Sequence, residues 1–329
     1  MFEIKLKNDK KFLCDKDTTI LQAAKKAGIF LEHSCLMARC RSCVVKINEG
    51  KTINQQDELI LSVEEKEQNF VLSCNAKPLS NLDLDIEDLG NITLYEKKIV
   101  PAKIKSIDLI TPDVIKLVLR LPPTANFKFI SGQYVNLIKG TINRSYSVAS
   151  SSKVVSGELE FYIKKYENGI MSQYLFYEAK VNDLLRVEGP LGSFFLRETK
   201  KHHIIFLATG TGVAPIKAIL DEIENEGFEG IIENKIWVFV GARYEKDLFW
   251  KPKTRHNIKY IPSLSRGNED WQGDRGYVQD IVLQQNIDLK EAQVYACGSN
   301  EMIESARKLL ILNSLEEHQF YSDAFVQTN

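Results

Sequence analysis

Cys35, Cys40 and Cys43 stand in the spacing C-x4-C-x2-C, and Cys74 follows 31 residues after Cys43. Two ferric ions bridged by two sulfides each need two further soft, anionic ligands to complete a tetrahedron. Four thiolates at this spacing therefore point to a 2Fe-2S cluster. The alternative is zinc, but zinc sites pair a C-x2-C with a second close pair, and Cys74 stands alone. Cys14, inside the first apolar stretch, reads as a small core residue.

Two further groups of residues carry chemistry of another kind. Arg144 can grip a diphosphate, Tyr146 can stack on a flat ring, and Ser147 can hydrogen-bond a ring nitrogen. Gly169-Ile170-Met171-Ser172 follows a strand and leads into a helix, so it can offer amides and a hydroxyl to phosphate. The plainer alternative makes Tyr146 and Met171 core and Arg144 a surface charge. Thr209-Gly210-Thr211-Gly212-Val213-Ala214-Pro215 comes directly after an apolar strand, and its glycines let backbone approach a pyrophosphate. It is G-x-G-x-x-P rather than the G-x-G-x-x-G of the dinucleotide fingerprint. Tyr295-Ala296-Cys297-Gly298 ends the last strand predicted here, where parallel sheets bind ligands, so Cys297 can face a nicotinamide. Taken alone it would be a buried structural thiol.

Three kinds of pattern must position these groups. Residues 1–90 open with a period-two strand in which Phe2, Ile4 and Leu6 share a face. A helix with Ile20, Ala23, Ala24 and Ala27 on one side follows, capped by Asp17 or Thr18 and ended by Gly28. Leu31 to Cys43 has no regular period, and Val44 to Ile47 resumes as strand. Residues 91–100, entered through Asn91 and closed by Pro101, read as a linker. In residues 101–198, six short runs separated by Pro, Gly and Asn have the pattern of a small antiparallel barrel: Ile104 to Leu109, Val114 to Leu121, Tyr134 to Ile138, Tyr146 to Ala149, Leu159 to Lys164 and Leu184 to Val187. In residues 199–329 strand, glycine turn and helix alternate, with strands at Ile204 to Ala208, Ile236 to Val240, Ile258 to Pro262 and Gln293 to Ala296. That alternation predicts a parallel sheet.

The chain has 329 residues, 43 basic and 44 acidic, with 44% hydrophobic content. Two or three domains with real cores are expected, and general disorder is excluded. A net charge of -1 gives no global field to gather nucleic acid or an anionic membrane. The longest apolar runs fall far short of the ~20 residues that span a bilayer. The first residues lack the apolar core of a signal peptide, so a cytoplasmic protein is expected, in which clustered cysteines are ligands rather than disulfides.

In combination and in this order, the motifs resemble the ferredoxin reductase superfamily over residues 101–329. A module resembling plant-type ferredoxin domains, through Glu32-His33-Ser34-Cys35 to Cys43, is fused in front. The resemblance implies a β-grasp ferredoxin domain, an antiparallel β-barrel flavin domain and a parallel-sheet nucleotide domain. It implies that Arg144, Tyr146, Ser147, Lys164, Gly169, Met171 and Ser172 surround FAD. Gly210, Thr211, Gly212, Gly241, Arg243, Cys297 and Gly298 would line the pyridine nucleotide, and Phe325 would cover the flavin, with Ser147, Cys297 and Phe325 nearest the chemistry. Ferredoxin loops usually have glycine where this chain has Ala38 and Arg41, so a rearranged loop is expected.

Within the superfamily the likeness runs furthest to the reductases of 3,6-dideoxysugar biosynthesis. It is carried by Leu119-Arg120-Leu121-Pro122-Pro123-Thr124-Ala125, by Gly132-Gln133-Tyr134 running on to Arg144-Ser145-Tyr146-Ser147, and by Tyr321-Ser322-Asp323-Ala324-Phe325-Val326. It implies electron flow from NADH through FAD and the cluster to a pyridoxamine-phosphate-dependent dehydrase holding a CDP-4-keto-6-deoxyhexose. Reductase components of oxygenases share the domains and are the first alternative; a non-enzymatic redox sensor is the second. Ser265-Arg266 fits NADPH, whereas Trp271-Gln272-Gly273 and Gly276-Tyr277-Val278 look more like NADH users. Arg39 and Arg41 place positive charge beside the cluster, so an acidic partner is expected over residues 36–42, unless both arginines bond the loop or face water.

Overall fold

The computed structural model describes residues 1–329 except 91, 93, 154–156, 227–233, 254–257 and 326–329. Asn91 of the expected linker and Val326 of the closing stretch lie outside the described residues. The chain divides into two units, Met1–Leu94 and Tyr95–Asn329.

In the first unit, β1 (Phe2–Leu6) and β2 (Lys11–Cys14) form an antiparallel hairpin. The alternation in β1 buries Ile4 and Leu6 completely. Helix α1 (Ile20–Lys26) lays Ile20, Ala23 and Ala24 into the same core as Cys14. Its N-cap is Thr19, whose side chain accepts from the Gln22 amide at 3.4 Å, rather than Asp17 or Thr18. Thr18 is taken up by the preceding turn, its amide donating to the Asp15 carbonyl. Gly28 ends the helix at φ +73°, as expected. After β3 (Val44–Glu49) come β4 (Thr52–Asn54), α2 (Val63–Glu67), β5 (Phe70–Leu72), β6 (Ala76–Pro78) and β7 (Leu82–Leu84). The main sheet runs β2-β1-β7-β3-β5, with β1 and β7 parallel and their neighbours antiparallel, and β4 pairs with β6. This is the expected β-grasp arrangement.

The second unit begins with an antiparallel six-stranded barrel sheet in the order β11-β10-β13-β8-β9-β12. Its strands are β8 (Lys98–Thr111), β9 (Val114–Arg120), β10 (Tyr134–Lys139), β11 (Ile142–Ser147), β12 (Glu158–Lys164) and β13 (Leu184–Leu191). Five correspond to runs read from the sequence, with β8 starting inside the stretch read as linker, whereas β11 begins before the run read at Tyr146 to Ala149 and shares only Tyr146 and Ser147 with it. Period-two alternation turns Leu159, Phe161 and Ile163 into the core and leaves Glu160 and Tyr162 on the outer face. One turn of helix, α3 (Ile170–Gln173), continues into a π-helical turn at Tyr174–Glu178.

The nucleotide-type sheet is parallel throughout, in the order β17-β16-β15-β14-β18-β19. It comprises β14 (His203–Thr209), β15 (Lys235–Ala242), β16 (Ile258–Leu264), β17 (Asp274–Arg275), β18 (Ala292–Gly298) and β19 (Phe320–Ala324). Helices α4 (Val213–Glu226), α5 (Val278–Gln284) and α6 (Asn300–Leu312) connect them. β14 and β18 are buried along nearly their whole length, as central strands covered on both faces must be. From β14 the chain builds outward to β17 on one side, then returns to lay β18 and β19 on the other. The order therefore reverses between β14 and β18, and ligands of open parallel sheets bind outside the carboxyl ends of the strands at such a point.

Candidate redox site

In the first unit the four cysteines come together two by two. The Cys43 and Cys74 sulfurs lie 3.3 Å apart, and Cys35 and Cys40 pair through the Cys35 amide, which reaches the Cys40 sulfur at 3.4 Å. Among the described residues no three such side chains converge on one metal-ion position. Two pairs are what two irons, each with two thiolates, require. Main-chain amides of Met37 and Arg39 point at the Cys35 sulfur, both at 3.4 Å. Contact with the Cys40 thiol, helped by those amides, holds the Cys35 thiol below the usual range. Cys74 is lowered in the same way by the Cys43 thiol and the Ala38 amide.

Ala38 takes a φ of +54°, and Leu36 a φ of +57°. Ala38 thus adopts the left-handed conformation without glycine, at a cost of about 1 kcal/mol, and still aims its amide at Cys74. Arg41 turns away from the thiols. Its guanidinium bonds the Ile60 carbonyl at 2.9 Å and forms a two-pronged pair with Glu65 of α2. Its charge is thereby matched within the unit, whereas Arg39 is exposed. The expected basic docking loop reduces to one arginine flanked by the exposed Leu36 and Met37.

In the second unit, β11 presents Arg144 and Tyr146 on one face and Ser145 and Ser147 on the other. Tyr146 packs against the barrel core, and burial pushes its phenol well up, so it is neutral at ordinary pH. Arg144 donates to the Asn143 carbonyl at 2.8 Å. Met171 is buried in the barrel core, which leaves its amide, not its side chain, to offer a ligand. The Ser172 hydroxyl is spent on its own turn, accepting from the Tyr166 amide and lying within bonding distance of the Tyr166 and Gly169 carbonyls. The groups presented there are the first-turn amides of α3. Lys164 points outward to Asp113 at 3.4 Å.

At the strand reversal the glycines have a reason the sequence did not show. A Cβ on Gly212 would collide with the Cys297 carbonyl, and one on Gly298 with the Thr209 side chain. The turn after β14 and the end of β18 therefore interlock, backbone against backbone. Gly210, by contrast, stands at φ +55° with open space around it. Thr211 follows it, partly exposed. Gly241, the last residue but one of β15, lies against Val278 and Thr209. The carbonyl of the exposed Arg243 accepts from the Arg266 amide, and the Ser265 amide donates to Ala242, both at 3.0 Å. Arg243, Ser265 and Arg266 thus sit side by side at the carboxyl ends of β15 and β16.

Cys297 is fully buried and faces Asp323 of β19 across the strand pair. Burial, with the Asp323 charge adding to it, pushes its thiol well above the usual range. Asp323 accepts from the Ser147 hydroxyl at 3.1 Å. Ser147, Cys297 and Asp323 therefore meet in one place. Phe325, half-buried, is tied there by its amide to the Gly298 carbonyl at 3.0 Å. Asp323 went unassigned in the sequence because nothing in Ser322-Asp323-Ala324 shows that the acid is buried.

Three family descriptions match the chain in sequence: a 2Fe-2S iron-sulfur cluster binding domain at residues 4–79, an oxidoreductase FAD-binding domain at 101–196, and an oxidoreductase NAD-binding domain at 206–308. The CDP-6-deoxy-L-threo-D-glycero-4-hexulose-3-dehydrase reductase of Yersinia pestis is 36% identical over 316 residues, covering 96% of this chain and 95% of that protein. The phenol 2-monooxygenase reductase component DmpP of Pseudomonas sp. is 32% identical, covering 93% and 89%. The crystal structure of the Amycolatopsis cytochrome P450 reductase GcoB shares the fold, with a TM-score of 0.72 at 20% identity and 99% of each chain covered. The paired thiols fit the cluster, β11 with the first turn of α3 fits a flavin, and the turns at the ends of β14 and β18 fit a nicotinamide nucleotide. The chain is an NAD(P)H-dependent oxidoreductase and belongs to the CDP-6-deoxy-L-threo-D-glycero-4-hexulose-3-dehydrase reductase family, iron-sulfur flavoproteins of the ferredoxin reductase superfamily.

Proposed function

We propose that this protein delivers electrons from NADH to a pyridoxamine-phosphate-dependent dehydrase that removes the C3 hydroxyl of a CDP-4-keto-6-deoxyhexose. The observation that carries the redox half is the meeting of Ser147 from the barrel with Cys297 and Asp323 from the parallel sheet. When bound, NADH supplies a hydride, FAD takes two electrons and releases them singly, and the 2Fe-2S cluster passes them on one at a time. Cys35 with Cys40 and Cys43 with Cys74 hold the two irons. Arg144 and the first-turn amides of α3, with Gly169 at its N-cap, grip the flavin diphosphate, and Tyr146 lies against the ring system. The Ser147 hydroxyl, its one proton donated to Asp323, is oriented to accept from a ring N–H. Cys297 stays a neutral, fully buried thiol that supports the strand end beside the nicotinamide rather than touching it, and Phe325 excludes water from that end. Gly210 to Gly212, Gly241 and Gly298 shape the nucleotide track.

Identity over nearly the full chain supports the dehydrase as partner. An oxygenase partner is the second reading, favoured by the identity to DmpP. Arg243, Ser265 and Arg266 are the observation that favours NADPH as an additional reductant. Reconstitution decides between partners: the protein, NADH, the dehydrase and a CDP-4-keto-6-deoxyhexose should yield the 3-deoxy sugar with NADH consumed in equal amount. Rapid NADH oxidation with a phenol hydroxylase, and none with the dehydrase, would favour the oxygenase reading.

A further inference from the structure

Lys217 lies on the first turns of α4, the helix that leaves the Gly210 to Gly212 turn. Its ammonium group reaches out of the nucleotide half and into the barrel. It donates to the Ala149 carbonyl at 3.1 Å and to Asp221 Oδ2 at 2.7 Å, and it lies 3.5 Å from Glu160 Oε1 on β12. Two of these contacts are hydrogen bonds and the third is an ion pair. The side chain is 18% exposed, so water competes weakly for these contacts.

Ala149 is two residues beyond Ser147, and the short connection between them is held from every side. The Val148 amide donates to the Gln133 carbonyl at 3.1 Å, and the Ala149 amide to the Glu160 carbonyl at 2.7 Å. Lys217 takes the remaining Ala149 carbonyl from the opposite half of the unit. Around it Tyr162 of β12 meets Phe249 edge-on at 5.3 Å, and the Ser152 hydroxyl bonds Glu222 at 3.1 Å. The aromatic and hydroxyl contacts bring the two halves together. The ammonium links the start of the nucleotide-binding helix to the strand end that carries Ser147.

We infer that Lys217 is a positioning residue for hydride transfer, setting the distance between the nicotinamide track at Gly210 to Gly212 and the flavin strand at Ser147. It touches neither reacting group. The inference rests on the reading that NADH reduces a flavin held on β11. Hydride transfer needs close stacking, and a displacement of about 1 Å can cost as much as about a hundredfold in rate. Losing one of several contacts across the junction should cost less, about tenfold.

The test uses the full-length holoprotein with Lys217→Met and Lys217→Gln, both tolerated by a helix. Stopped-flow reduction of FAD at saturating NADH should slow about tenfold per bound flavin, with KM changed by less than about twofold. FAD content and chemical reduction by dithionite should match the wild type. Should the methionine variant not fold, the glutamine variant carries the test. A wild-type saturating rate per bound flavin in the folded variants overturns the inference, as does a loss of rate that merely follows lost FAD. Failure of the wild-type protein itself to be reduced by NADH would instead overturn the underlying reading.

Discussion

The Ser147 hydroxyl donates to the carboxylate of Asp323 at 3.1 Å across 176 residues of sequence, joining the last residue of β11 to β19. Both groups are buried. In the low dielectric of that junction the bond fixes which way the hydroxyl points. Ser147→Ala removes the donor and should slow flavin reduction by NADH about ten- to a hundredfold while FAD stays bound. Asp323→Asn keeps the shape and should cost less. Stopped-flow absorbance at saturating NADH measures both, and an unchanged rate in Ser147→Ala would remove the serine from the chemistry.

Cys297 pairs in register with Ala208 and Asp323 and is closed off from solvent. Its thiol is raised well above the ordinary value of 9.0, chiefly by burial. The unfolded chain therefore loses this proton at lower pH than the folded chain does. The stability so contributed is fully present below pH 9.0 and is lost as pH rises through the higher folded value. Cys297 should resist iodoacetamide at pH 8 in the native protein and react once the protein is unfolded. Peptide mass mapping of alkylated protein checks this, and rapid native labelling would contradict the burial. Cys297→Ala should slow flavin reduction with little loss of FAD.

Gly212 presses on the Cys297 carbonyl so closely that no side chain fits between them. Gly212→Ala must push the turn away from β18, so NADH reduction should fall by about tenfold or more. The barrel is not involved, and FAD occupancy should hold. Gly210→Ala meets open space but a positive φ, and should cost about 1 kcal/mol of strain with a milder effect on rate. Equal effects from the two substitutions would argue against the interlock.

Much of this architecture was legible in the sequence, for identifiable reasons. Leu159, Phe161 and Ile163 alternate so strictly that the barrel strand could be read directly, and Ile204 to Ala208 is apolar enough to demand cover on both faces. Cysteine spacing alone pointed to the cluster because two irons constrain four ligands. What escaped notice depends on partners far away in the chain. β19 is a strand because β18 lies beside it, and Asp323 is buried for the same reason. Whether Arg41 serves a partner or its own loop was open in the sequence, because Glu65, which takes its charge, lies 24 residues on in a helix. Local signals carry no such information.

That pair separates two roles for the loop arginines. Arg41→Ser takes the guanidinium from Glu65, which keeps the Ser62 amide, and releases the Ile60 carbonyl, and should destabilise the first unit by about 1–3 kcal/mol. Arg39→Ser should leave stability alone and reduce the salt dependence of electron delivery to the dehydrase. Thermal unfolding and steady-state transfer at two salt concentrations tell them apart. If Arg39→Ser keeps the wild-type salt slope, the partner docks elsewhere.

The account stands most directly on electrons reaching the cysteine pairs from NADH. Anaerobic protein mixed with NADH and frozen at successive times should lose its flavin absorbance first, then develop the rhombic EPR signal of one reduced 2Fe-2S cluster per chain. Cys74→Ser should abolish that signal while the flavin still bleaches at the wild-type rate. Zinc at one atom per chain with no iron, or a flavin that bleaches while no cluster signal ever forms in the wild-type protein, would contradict it.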